Sequence, residues 1–150
     1  MEWIIKRFDE LSTHELYKVL KLRVDVFVVE QECPYPELDG CDESSLHLWA
    51  REGERIIAYC RLVPGGGKYT YPSIGRVIVH PQHRGEGVSR MLMEKAMQVL
   101  QQEWGTEQIF LQGQEHLAGF YRSFGFKDIS DSYLDDGIPH IDMLWEKGGR

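Results

Sequence analysis

The chain is poor in the residues that mark specialised classes. It has three cysteines in 150 residues, Cys33, Cys41 and Cys60, and no C-x-x-C pair. That number and spacing fit reduced thiols, not a disulfide framework or a zinc site. Positive charge is scarce as well: 17 Lys and Arg stand against 24 Asp and Glu, a net charge of −7. A general nucleic-acid binder needs a basic face to neutralise phosphates, so that class is set aside. A small anionic ligand is not, because a helix N-terminus can hold one without net positive charge. Long apolar runs are missing, with charges interrupting every stretch before the ~20 residues a membrane span requires. The opening Met1-Glu2-Trp3-Ile4-Ile5-Lys6-Arg7 lacks a signal-peptide pattern, so the expected location is the cytoplasm. Repeats, low-complexity tracts and composition breaks are also lacking.

What remains is 42% hydrophobic, 11% aromatic and 27% charged, the profile of one globular α/β domain over residues 1–150. Trp3 to Phe8 reads as a strand. Ser12-Thr13-His14-Glu15 is a capping box, and Leu16, Val19, Leu20 and Phe27 continue at helical spacing. The helix is therefore expected from about Thr13 to the Val26–Val29 region. Glu30 to Ser45, with Pro34, Pro36 and Gly40, reads as loop. Leu46 to Ala50 and Arg55 to Val63 form a hairpin around Gly53. Ile74 to Val79 has the β-branched density of a central buried strand, and Pro81 stops it.

Gly85-Glu86-Gly87 leads into a long helix with an apolar stripe of Val88, Met91, Leu92, Ala96, Val99, Leu100 and Trp104. Ile109 to Leu111 is a short strand. Leu117 to Phe124 is a helix capped by Gly125. Phe126 to Tyr133 and Ile141 to Trp145 read as closing strands, turned by Asp135-Asp136-Gly137.

Chemistry concentrates in Val77 to Ser89. A buried strand ends, a glycine-containing loop turns and an amphipathic helix begins. Backbone N–H groups in such a loop, with the helix N-terminus behind them, suit phosphate oxygens. Arg84 and Arg90 add local positive charge. The segment is not a dinucleotide fingerprint, because Arg90 stands at the third glycine position. Nor is Gly67-Lys68 part of a P-loop, since Leu62 and Tyr69 occupy required positions.

Gln82-His83-Arg84-Gly85-Glu86-Gly87 resembles the Q/R-x-x-G-x-G/A signature of the GCN5-related N-acetyltransferase (GNAT) superfamily. Phe120-Tyr121-Arg122-Ser123-Phe124-Gly125-Phe126 resembles its F-Y-x-x-x-G-F motif. Phe27 to Tyr35, Asp39-Gly40 and Asp136 to Ile141 are similar to the ElaA-like branch. The resemblance implies a mixed, largely antiparallel central sheet of about seven strands. Two central strands would splay apart, with helices on both faces.

Acetyl-CoA is the cofactor so implied, its pantetheine arm along Val77, Ile78 and Val79. Its pyrophosphate would lie on the amides of Arg84, Gly85, Glu86, Gly87, Val88 and Ser89, with Arg90 adjacent. Gln114 stands where many relatives place an asparagine that contacts the cofactor. The implied reaction is acetyl transfer to a primary amine by direct attack, without a covalent enzyme intermediate. A backbone N–H near Val77–Val79 would polarise the thioester carbonyl.

Tyr121 is the implied proton donor to the departing thiolate. For unperturbed groups that transfer is uphill by about 2 kcal/mol. His140 is the first choice for general base and Glu30 the second, with His80 and His47 also considered. His80 and His83 have no third ligand partner, so no metal is expected.

The carboxylates Glu30, Glu32, Glu37, Asp39, Asp42 and Glu43 occur without an intervening Lys or Arg. They read either as a wall attracting a cationic amine or basic peptide, or as a solvated loop. The expected partner is a small-molecule or peptide amine, with neither nucleic acid nor membrane. The oligomeric state, including a homodimer, is open. Two rivals stand beside this reading: an acyl-homoserine-lactone-synthase-like acyltransferase, and a catalytically silent acyl-CoA-binding module.

Overall fold

The computed structural model describes residues 1–148. A single sheet carries the fold. Its strands are β1 (Glu2–Arg7), β2 (Leu46–Glu52), β3 (Arg55–Val63), β4 (Ser73–Val79), β5 (Gln108–Gln114), β6 (Lys127–Asp128), β7 (Tyr133–Asp135) and β8 (Ile138–Glu146). The order is β1-β2-β3-β4-β5-β8-β6, with β7 also paired to β8. Every pairing is antiparallel except β4 with β5. Eight strands thus replace the expected seven or so, and the mixed, largely antiparallel character holds.

The sheet separates two apolar clusters. On one face α2 (Val88–Trp104) buries Val88, Leu92, Met93, Ala96, Val99 and Leu100 against residues such as Leu48, Leu62, Ile109 and Met143. The stripe differs from the sequence reading at both margins. Met91 and Trp104 are exposed, and Met93 takes the buried place. On the other face α1 (Thr13–Arg23) contributes Val19 to a smaller cluster with Trp49, Tyr59 and Ile78.

Helical winding beyond α1 continues through the expected Val26–Val29 region and takes in Glu30, which was expected to begin the loop; Val24–Glu30 is π-helical. This wider coil brings Phe27 and Glu30 to the same cleft as β4. Other departures are local. Phe126 to Tyr133 is not a continuous strand; pairing breaks between Asp128 and Tyr133, where the Ser130 hydroxyl accepts the Asp142 N–H at 2.9 Å. β8 begins at Ile138, so His140 lies on a strand, not in the turn.

One feature of the sheet positions the site. β4 and β5 share a single register pair, Ser73 with Phe110, and then diverge. Beyond it, β4 keeps its bonds to β3 alone. A bulge interrupts that ladder between Tyr59 and Arg61. Opposite it, Arg76 takes φ = +52°, a left-handed conformation costing a residue with a Cβ of order 1–3 kcal/mol.

Candidate active site

Divergence of β4 from β5 opens a cleft of about 630 Å³. The β4 edge facing it is polar. His80 N–H donates to the Ile57 carbonyl at 2.8 Å, so antiparallel alternation turns the backbone groups of Ile78 toward β3. Those of Val77 and Val79 then face the opposite edge. The Ile78 side chain is buried in the α1-side cluster, which leaves Val77 and Val79 as the edge residues.

At one end of the cleft lies the glycine loop. Gly85 and Gly87 have φ of +82° and +79°, so the turn itself demands glycine. Among the described residues, nothing beyond the adjoining chain neighbours stands within 4 Å of where a Cβ on either would lie, and a ligand can meet the main chain there. Gly87 is the N-cap of α2 and supplies no side chain. The first amides of the helix, Val88, Ser89 and Arg90, therefore lack an intrahelical partner. α1 differs: Ser12 accepts the Glu15 N–H at 3.1 Å, and Glu15 accepts the Ser12 N–H at 2.9 Å.

The two arginines of the loop are not free cations. Arg84 forms a two-pronged ion pair with Glu30 at 2.9 and 3.1 Å and donates Nε to the Val79 carbonyl at 3.0 Å. Glu30 lines the cleft with both oxygens bound to that guanidinium. Arg90 turns away; it donates to the Ser123 hydroxyl at 2.7 Å and stacks 4.4 Å from the Phe124 ring centroid. Its side chain docks α2 against α3 (Ala118–Arg122). Glu86 faces His83 at 3.2 Å. Neither the Glu86 nor the Arg90 side chain lines the cleft.

Tyr121 reaches the cleft from α3. Its ring lies across Gly113 of β5, where a Cβ would stand 3.0 Å from two ring carbons. The side chain is buried, and burial pushes its phenol up to about 12. Such a group stays protonated at neutral pH. Against an unperturbed thiol, the proton transfer is then uphill by about 5 kcal/mol. A thiolate in the same dry wall also loses hydration, which raises its own pKa and narrows that gap.

His140 lies across the ladder from Gln114, and both line the cleft. Nδ1 sits 2.7 Å from the Ile138 carbonyl. A carbonyl only accepts, so Nδ1 carries a proton, and Nε2 is the ring nitrogen left for proton exchange. The ring stacks on Tyr133, centroids 6.2 Å apart. Gln114 approaches Gln31 at 3.5 Å. The remaining histidines considered do other work. His47 is fully buried between the Tyr59 hydroxyl and the Asp42 carbonyl. Burial lowers its pKa and keeps it neutral. His80 caps the turn through Gln82 N–H and does not line the cleft.

The acidic loop divides: Glu32 and Glu43 are exposed, as a solvated loop implies, Glu30 lines the cleft, and the other three fit neither reading. Glu37, Asp39 and Asp42 are folded inward onto cations from distant segments. Arg23 binds Glu37 and Asp42 at 2.7 and 2.6 Å. Arg61 binds Asp39 and Asp42 at 2.8 and 3.0 Å. Arg76 binds Glu37 at 2.7 Å, and Lys68 binds Asp39 at 3.0 Å. These three carboxylates are internally neutralised and do not line the cleft. Arg61 and Arg76 do, although nothing in the local sequence pattern singled them out. Gly113 had a signal, a glycine inside a strand, which marks close approach by another group.

A sheet parted beside a β-strand edge, ending at an uncapped helix N-terminus, is the architecture of a CoA-dependent acyltransferase, and the comparisons agree. The acetyltransferase (GNAT) domain family matches residues 14–147, and the chain belongs to that family. It is 40% identical to Protein ElaA of Escherichia coli over 97% of both chains. The crystal structure of E. coli ElaA superimposes with a TM-score of 0.91 at 39% identity, covering 97% of this chain and 100% of that one. An acyl-CoA N-acyltransferase from Pseudomonas aeruginosa gives 0.92 at 39% identity, over 96% and 98%. A CoA-dependent acyl-homoserine lactone synthase gives 0.75 at 19% identity, over 95% and 81%, a likeness of fold. No described helix is long and apolar enough to cross a membrane.

Proposed function

We propose that the chain transfers an acetyl group from acetyl-CoA to a primary amine by direct attack, in the cytoplasm. The observation that carries this reading is the parting of β4 from β5 beside the uncapped start of α2. Bound acetyl-CoA would supply an activated thioester.

The chain's own groups do the rest. Backbone groups of Val77 and Val79 pair with an amide-bearing arm laid along the free edge. The amides from Arg84 to Ser89 receive the pyrophosphate, and Gln114 reaches the arm from β5. A main-chain N–H on the β4 edge polarises the thioester carbonyl.

His140 Nε2 accepts the proton released as the amine nitrogen bonds the acetyl carbon. Tyr121 Oη supplies a proton to the sulfur as its bond to that carbon breaks. Glu30 holds Arg84 in this reading. For it to serve as base, the ion pair would first have to open.

A thiol-release screen over polyamines, amino acids, aminoglycosides and lysine peptides tests the reading, with acetyl-CoA binding measured alongside by calorimetry. Amine-dependent release of one thiol per N-acetyl product supports it. Binding without release for any amine class would identify a silent acyl-CoA module instead.

A further inference from the structure

Building on that reading, we propose that the acceptor is an amine bearing a carboxylate, a free amino acid in chemical class, with the Arg76 guanidinium receiving the carboxylate. The cleft is polarised from wall to wall. On the β3–β4 side it is lined by Arg61 and Arg76; on the β7–β8 side it is lined by Asp135, Asp136 and His140. The carboxylates that neutralise Arg61 and Arg76 are not in the lining, so the cleft meets these two residues and not their counter-charges.

Donors also remain over. Arg76 spends Nε on Glu37 at 2.7 Å and Nη2 on Glu37 and Asp39 at 3.4 and 3.5 Å. Nη1 has no partner among the described residues. Arg61 is only 2% exposed, and its Nε is an orphaned buried donor. Four cations, Arg23, Arg61, Lys68 and Arg76, share three carboxylates here. An incoming carboxylate would restore the balance.

Arg76 is also preorganised. The β4 bulge holds it at φ = +52°, and its guanidinium lies 5.9 Å from the Tyr35 ring centroid. Strain at a residue that lines a cleft is a mark of function. Arg76 directly precedes Val77, and strand residues advance ~3.3 Å each. Arg76 and the Val77–Val79 edge therefore stand on one wall of the cleft. The ammonium end meets Asp135 and Asp136 and sheds one proton to solvent; the neutral nitrogen then attacks and passes its second proton to His140.

The test uses matched triplets: an L-amino acid, its carboxamide and its decarboxylated amine, each assayed with acetyl-CoA. The expected result is a kcat/KM for one or more acids at least ~100-fold above both partners, because a ligand without a carboxylate leaves the unpartnered Arg76 Nη1 unanswered. In Arg76→Gln that ratio should fall below ~5-fold, and Arg76→Lys, which keeps the charge but loses the fork, should lie between. Thermal melting and acetyl-CoA affinity of each variant report whether the fold persists. Calorimetric binding of N-acetyl amino acids in the presence of CoA should track the same order.

Acetylation of amides or simple amines at equal or higher efficiency overturns the proposal. So does an unchanged ratio in folded Arg76→Gln, or acetyl-CoA binding with no amino acid acetylated. Failure to bind acetyl-CoA at all overturns the underlying reading, and this one with it.

Discussion

Tyr121, the proposed proton donor, and Gly113 form one contact pair at the scale of the residue. The phenol, raised to about 12 by burial, is kept as a proton source rather than a phenolate. Tyr121→Phe should lower turnover by ~100-fold or more, the usual weight of a general acid, while acetyl-CoA affinity moves less than ~2-fold. Stopped-flow thiol release and calorimetry separate the two, and equal turnover would remove Tyr121 from the reaction. Gly113→Ala should act indirectly. Its Cβ would stand 3.0 Å from the Tyr121 ring, so the ring must shift, with a stability loss of about 1–3 kcal/mol and reduced turnover. A urea midpoint that does not move would show that β5 yields instead. The proposed role of Tyr121 was legible in the sequence, through the motif around it. The dependence on Gly113 was not, because contact between α3 and β5 is a tertiary fact.

Elements tell a similar story. The glycine loop and α2 were readable from local pattern, since a positive φ and an amphipathic stripe are both written in consecutive residues. Gly87→Asp should weaken acetyl-CoA binding by ~10-fold or more, by putting an anion at the helix start and a Cβ at φ = +79°. Unchanged affinity by calorimetry would place the pyrophosphate elsewhere.

The loop from Glu30 to Ser45 was not readable, because its partners Arg23, Arg61, Lys68 and Arg76 come from other elements. Its energetics follow from those partners. Burial alone would raise the Asp39 and Asp42 carboxyls. Hydrogen bonds from Arg61 and Lys68 to Asp39, and from Arg23 and Arg61 to Asp42, outweigh it and hold both below their ordinary values.

A depressed folded-state pKa stabilises the fold above the unfolded value, near 4, and the contribution is lost as pH falls through the folded one. Urea midpoints should therefore hold steady from pH 7 to about 5 and drop below 4. Asp42→Ala takes a shared carboxylate from two buried guanidiniums, leaving Arg23 with Glu37 and Arg61 with Asp39, and should cost about 3 kcal/mol. A variant within 1 kcal/mol of the parent at pH 7 would show that the network adds no net stability.

At the scale of the molecule, the sheet is two blocks, β1–β4 and β5–β8, held together at the seam by Ser73 and Phe110 and bridged by the helix that packs across both. The two-faced core follows from alternation and helical spacing, whereas strand order is a tertiary fact that neither pattern carries. The parting itself has no signature in either strand and entered the sequence reading only through the family resemblance. A ligand that fills the seam should act as a missing strand. At 100 times its Kd, acetyl-CoA should add ~2.7 kcal/mol and raise the melting temperature by several degrees. Hydrogen exchange should slow at Val77 and Val79 more than at Ile78, whose groups already face β3. Uniform slowing across β4 would contradict the edge assignment.

The same seam has a consequence for handling. Most proteins blunt the outer margins of their sheets against adhesion by foreign strands; this one carries raw margins in its interior. Starved of nucleotide and held at high concentration, two copies could trade halves or recruit one another's exposed backbone. Purification with coenzyme A present should accordingly reduce slow clumping on storage.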